Sequence, residues 1–142
     1  MKVQCTYRPG DPIPEAVIAL GNTPSTRFDV SHDQAYLVFG IMLWKGVIHY
    51  LLVNDQTGRP NWFPDFLFKV IDNRLPHGWS FYLRGERSEI PVDAIWGYPE
   101  LTQEDGRHFI DLIEREPGAL QVFEHRRAGN KGDGSLFEIM KR

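Results

Sequence analysis

Cysteine is nearly absent: the 142-residue chain has one, Cys5, which cannot close an internal disulfide or contribute to a thiolate cluster. Long apolar runs are missing too, since no stretch approaches the ~20 consecutive apolar residues of a membrane span. Positive charge is in deficit. Lysine and arginine number 16 against 19 acidic residues, for a formal net charge of −3. That balance argues against a nucleic-acid partner held by bulk phosphate neutralisation and leaves only a local basic patch. The opening MKVQCTYRPGD has no apolar segment of the kind a secretory signal uses. The expectation is a cytoplasmic protein with no membrane contact.

Catalytic and metal-binding motifs are equally scarce. None of the five histidines belongs to an HExxH pair, no serine sits in a GxSxG elbow, and GNKGDG (129–134) lacks the P-loop pattern. No cofactor is expected, and no structural metal.

What is present is an ordinary globular composition, 42% hydrophobic and 25% charged, with a generous 13% of aromatic residues. The apolar density concentrates in Tyr36–Leu83. YLVFGIMLW, VIHYLLV, FLFKVI and WSFYL alternate with turn residues, the signature of a small antiparallel sheet. Lys45-Gly46 can serve as a two-residue hairpin loop. That register sets Trp44 opposite Val47, Met42 opposite His49, Gly40 opposite Leu51 and Val38 opposite Val53. Phe39, Ile41, Leu43, Ile48, Tyr50 and Leu52 then share the other face, which is expected to be the main core, with Phe39, Ile41, Leu43, Ile48 and Leu52 almost fully buried. The first face is also apolar enough to need a cover. Gly40 marks a place where the sheet could bend.

Around that sheet, 1–35 read as an N-terminal arm, with a short helix over Pro14–Gly21 and an edge strand over Arg27–Val30. Asn54–Asp65 reads as a polar loop interrupted by Trp62-Phe63. Phe66–Ile71, Trp79–Leu83 and Ala94–Tyr98 read as strands, with the charged 84–93 as a loop or exposed ribbon between the last two. Thr102 with Gln103, Glu104 and Asp105 looks like a capped helix start, followed by a buried stripe of Phe109, Leu112 and Ile113 and an exposed Asp111–Arg115 pair. Pro117 opens a second helix with Leu120 and Phe123 inward. Residues 128–135 read as a linker by composition, and Leu136–Met140 as a docking strand or a frayed tail. The whole is a single domain, 1–142, with its sheet core in 36–98 and its helical segment in 102–127. The fold class is α+β: a strongly bent antiparallel sheet or small SH3-like barrel of about five strands, packed by C-terminal helices.

Four surfaces are candidates for function. Asp55, Asp65 and Asp72 lie in loops and could converge as paired carboxylates, although turn-forming aspartates explain them equally. Glu104, His108 and Asp111 could share a helix face suited to a metal, or a plain solvated face. His125, Arg126, Arg127 and Lys131 form the one basic cluster, which the macrodipole favours near a helix C-terminus in any case. The fourth is the aromatic loop. Trp62 and Phe63 either plug an open end of the sheet or form a partner-binding site with Asp55, Arg59 and Asp65.

Two stretches carry a resemblance. One is YLVFGIMLWKGVIHYLLVNDQTGRPNWFPDFLFKVIDNRLPHGWSFY, the other GYPELTQEDGRHFIDLIEREPGALQVFEHRR. Together they resemble a group of short, largely uncharacterised bacterial proteins, similar in style to toxin-immunity proteins. The resemblance implies a bacterial cytosolic protein that acts by binding another protein, possibly a cognate toxin, rather than by catalysis. The readings that stand beside it are a small hydrolase or nuclease-like enzyme with carboxylates at the sheet end, and a nucleic-acid-binding barrel.

Overall fold

Lys45 and Gly46 both adopt positive φ, 48° and 79°, the turn geometry whose twist matches that of the strands it joins. In the computed structural model this turn links β3 (Gly40–Trp44) to β4 (Val47–Val53). Trp44 lies opposite Val47, Met42 opposite His49 and Gly40 opposite Leu51, as the sequence predicts. The match stops there: Val38, expected opposite Val53, donates its N–H to Met1 instead. The structure describes residues 1–84, 90 and 92–140, with side chains through residue 129.

The remaining strands fall into two antiparallel sheets, with no ladder between the sheets among the described residues. β5 (Pro60–Pro64), β7 (Ser80–Leu83) and β8 (Ala94–Gly97) extend the hairpin in the order β5-β4-β3-β8-β7. The second sheet is β2-β1-β6, built from Ala35–Leu37, Lys2–Cys5 and Phe68–Asp72. Helices α1 (Glu15–Ile18), α2 (Arg107–Ile113) and α3 (Pro117–Met140) complete an α+β fold. No helix among the described residues is long and apolar enough to cross a membrane.

Several expectations are corrected. Pro60–Pro64 is a strand rather than part of a loop; it sits at the sheet edge, where proline's missing N–H leaves no ladder bond broken. Phe68–Asp72 pairs not with the hairpin but with β1, a strand hidden in what reads as an N-terminal arm. Arg27–Val30 forms no strand, although Phe28 and Val30 pack against the core. Leu136–Met140 and the linker-like 128–135 continue α3. Most of the charged stretch 84–93 lies outside the described residues. Thr102 caps no helix: it ends a 3-10 turn, Pro99–Thr102, with its hydroxyl bonded to the Pro99 carbonyl and to Ser80. α2 starts later, after Gly106 in the left-handed region, and the Asp105 carboxylate accepts the Arg107 N–H.

The sheet has a core on each face. On one, Met42, Leu51 and Ile95 meet Leu101, Phe109, Leu112 and Phe123 of the C-terminal segment. On the other, Tyr50, Leu52 and Phe63 meet Val3, Cys5 and Tyr36 of the smaller sheet and Val38 just after it. Only part of the expected main face is therefore buried. Leu52 is fully covered, but Ile41 and Leu43 are half-buried and Ile48 is 37% exposed, because the three-stranded sheet is short and leaves the turn end bare. Phe39 is buried against Phe123 on the helical side, since the irregular link between β2 and β3 resets the alternation. The outermost strand is likewise reversed: Phe81 and Leu83 face solvent, while Ser80 reaches inward to Thr102.

Gly40 serves a different purpose from a bend. It pairs across strands with Gly97, and a Cβ on either would come within 2.5 Å of the Leu101 Cδ2 methyl. The two glycines form a seat for Leu101, which is fully buried. Gly97→Ala should therefore destabilise by about 1–3 kcal/mol through overpacking, read as a lower urea midpoint with unchanged slope. An unchanged midpoint would mean that Leu101 swings aside freely.

Candidate functional site

Strand alternation sends the two rings of the aromatic stretch in opposite directions. Trp62, opposite Leu51, packs on the helical side with its ring 5.8 Å from Phe109. Phe63, opposite Tyr50, is buried in the second core. The flanking residues scatter as well. Asp55 is in the exposed turn before β5, where its carboxylate accepts from the hydroxyls of Tyr36 (2.5 Å) and Ser31 (2.9 Å). Burial and that carboxylate push the Tyr36 phenol up to about 12. Arg59 is exposed at the end of the same turn, and Asp65 is half-buried in the 3-10 turn after β5, its pKa raised by burial.

Trp62 and its neighbours line a groove of about 530 Å³ on the helical side of the sheet. The floor is Met42, Trp44, His49, Leu51 and Trp62. The end of α2, with Leu112, Ile113 and Arg115, and the segment from Asn22 to Asp29 also line it. Asn54 ties down that segment. It is almost fully buried, its amide donates to Asp29 (3.0 Å), and its carbonyl oxygen accepts the N–H groups of Gln56 and Thr57. One side chain thus holds the N-terminal segment against the β4–β5 turn.

The polar groups of the groove are mostly donors. The indole Nε1 atoms of Trp44 and Trp62 are out of solvent and have no hydrogen-bond partner among the described residues, which costs roughly 1–3 kcal/mol each. His49 donates through Nδ1 to the Val47 carbonyl at 3.1 Å, and its ring lies 5.8 Å from Trp44. Burial lowers its pKa against a smaller opposing pull from Asp65, so the ring is neutral. His108, in the first turn of α2, is lowered in the same way by burial against the smaller opposing pull of Glu100 and Asp111, and shares a 2.7 Å hydrogen bond with Tyr98.

Both histidines hold folded-state pKa values below the ordinary ~6.5. As pH falls through that value the unfolded chain takes up protons that the folded chain refuses. Stability should therefore drop between about pH 7 and the lowered folded values. Denaturant unfolding at stepped pH checks this, and His49→Gln should flatten the slope. Equal stability at about pH 7 and pH 5.5 would contradict it.

The other candidate constellations come apart. Asp55, Asp65 and Asp72 each have separate partners: Asp55 the Tyr36 and Ser31 hydroxyls, Asp65 the nearby His49, and Asp72 the Arg74 guanidinium, which holds its carboxyl well below the usual range. His108 is turned into the core rather than grouped with Glu104 and Asp111. Among the described residues no group of three or more His, Cys, Asp or Glu could hold a metal ion. In the basic cluster, Arg126 is clamped by both oxygens of Glu100 at 2.8 and 2.7 Å, and Arg127 lies 3.4 Å from Glu124. The Lys131 side chain lies outside the described residues.

Sequence reasoning missed most of this groove. Trp44 and His49 were legible, since the hairpin register places them on one face with Leu51. Arg27 carried no signal, and Arg115, expected to pair with Asp111, bonds the Asn61 side chain instead, because only the fold brings α2 beside β5. Compared with known proteins, the chain matches no family model, and no curated protein and no solved structure matches it either.

Proposed function

We propose that this chain is a non-enzymatic binding protein that receives part of another protein in the groove beside Trp62. In its most specific form the reading is an immunity-type inhibitor that works in the bacterial cytosol by occluding a toxin. The observation that carries it is the groove lining, where Trp44 and Trp62 lie beside a neutral histidine and the apolar Met42 and Leu51. Aromatic anchors in largely desolvated pockets supply much of the binding energy at protein interfaces. The exposed turn beside it adds Arg59 and Asp55 as rim charges, which act mainly on association rate. The separate engagement of the three carboxylates favours binding over acid–base catalysis. The immunity form draws on the residue pattern of the two stretches quoted above, and immunity genes sit beside the genes of their toxins.

The test is a calorimetric titration with the product of the neighbouring gene. A one-to-one complex is expected, and Trp62→Ala should weaken it by more than about 2 kcal/mol. The folded fraction of the variant is checked separately by circular dichroism, because Trp62 also packs against Phe109. Failure of the wild-type protein to form any complex would overturn the toxin reading.

A further inference from the structure

α2 ends in a turn that normally calls for glycine. The Glu116 N–H reaches back to the Asp111 carbonyl and the Arg115 N–H to the Leu112 carbonyl, the paired bonds of a Schellman stop. Position 115 must then be left-handed, and it is, at φ 60°, yet it holds arginine. A β-carbon in that region is unfavourable, so the fold gives up stability to keep a guanidinium there. Arg115 lines the groove, and among the described residues its guanidinium bonds only the neutral Asn61 side chain, at 3.2 Å.

Arg27, in the same lining, is exposed and makes no ion pair among the described residues. Asp29, the one carboxylate in the lining, is engaged by the Asn54 amide. Two arginines without carboxylate partners among the described residues therefore line the same groove as Met42, Leu51 and the two tryptophan rings. The volume, about 530 Å³, lies within the range of small-molecule and side-chain sites.

We propose that the groove is a receptor for a carboxylate carried beside an apolar side chain, with Arg115 and Arg27 binding the anion and the Trp44–Trp62 floor taking the apolar group. The inference rests on the binding reading above and names the chemistry that the partner presents. A terminal carboxylate and a Glu or Asp side chain would share that chemistry. Planar guanidinium groups suit carboxylates in particular, since they offer paired donors in a fixed fork.

Three capped peptides serve as probes for the full-length protein: acetyl-Leu-Phe as the free acid, acetyl-Leu-Phe-amide, and acetyl-Leu-Glu-amide. Binding is read from the indole N–H resonances of ¹⁵N-labelled protein. The free acid should shift the Trp44 and Trp62 indole signals and the uncharged amide should not. A shift with acetyl-Leu-Glu-amide as well identifies a side-chain carboxylate as sufficient; its absence identifies a chain terminus. Arg115→Gly should raise the melting temperature while lowering affinity for the free acid at least tenfold. A merely structural arginine would not separate those two readouts. Equal shifts with acid and amide, no shift with either carboxylate, or unchanged affinity in Arg115→Gly would overturn the proposal. None of these outcomes depends on the neighbouring gene, so this inference and the toxin reading fail separately.

Discussion

Phe123→Ala should lower the stability of this protein by about 3–5 kcal/mol. Phe123 heads the fully buried side chains, and its ring meets Phe39 edge-on with centroids 5.2 Å apart. Truncation removes the transfer energy of a whole ring and opens a cavity where α3 lies over the sheet. The surroundings have little freedom to collapse, because Leu101 is already held against Gly40 and Gly97. Chemical denaturation gives the value directly. A loss below about 1 kcal/mol would mean that α3 contributes little to the first core.

Leu52→Ala should cost about 2–5 kcal/mol for the same reasons, but in the other core. Leu52 is fully buried among Tyr36, Val38, Phe63 and Leu67, between the hairpin and the three-stranded sheet. Its core shares no buried residue with that of Phe123. The effects should therefore add in the double variant to within about 0.5 kcal/mol. Ile48→Ala provides the contrast. It lies on the expected main face but is 37% exposed, so its change should stay near about 0.5 kcal/mol. A loss for Ile48 matching that for Leu52 would restore the single-core reading of the hairpin.

Local chemistry made some of this legible in the sequence. Lys45-Gly46 fixed a register that holds residue for residue across β3 and β4, because a two-residue turn leaves almost no alternative. Pro117 announced α3, and Gly21, at φ 104°, closes the first helical turn as glycine there suggests. Pairing at a distance was not legible. Lys2–Cys5 is only four residues long, and its partner strands begin 30 and 63 residues after it ends. Nothing within the segment distinguishes a strand from an arm. Trp62-Phe63 looked like a loop because prolines bracket it, yet an edge strand accepts prolines that an inner one would reject. Thr102 fitted a cap by composition, but the seating of Leu101 fixed a 3-10 turn first and passed the helix start to Gly106.

The groove shows the same division. Alternation along the hairpin grouped Met42, Trp44, His49 and Leu51, so four of the five floor residues could be read from spacing. Arg115 could not, because its left-handed backbone follows from how α2 stops, and arginine is not the residue that such a stop advertises.

Occlusion of a partner's active site makes one demand that simple association does not. The neighbouring gene's product should be titrated with this protein twice, once with its active site empty and once saturated with a substrate analogue. Occlusion predicts that the filled site abolishes binding, or weakens it in proportion to analogue concentration. Equal affinity in the two titrations would contradict it.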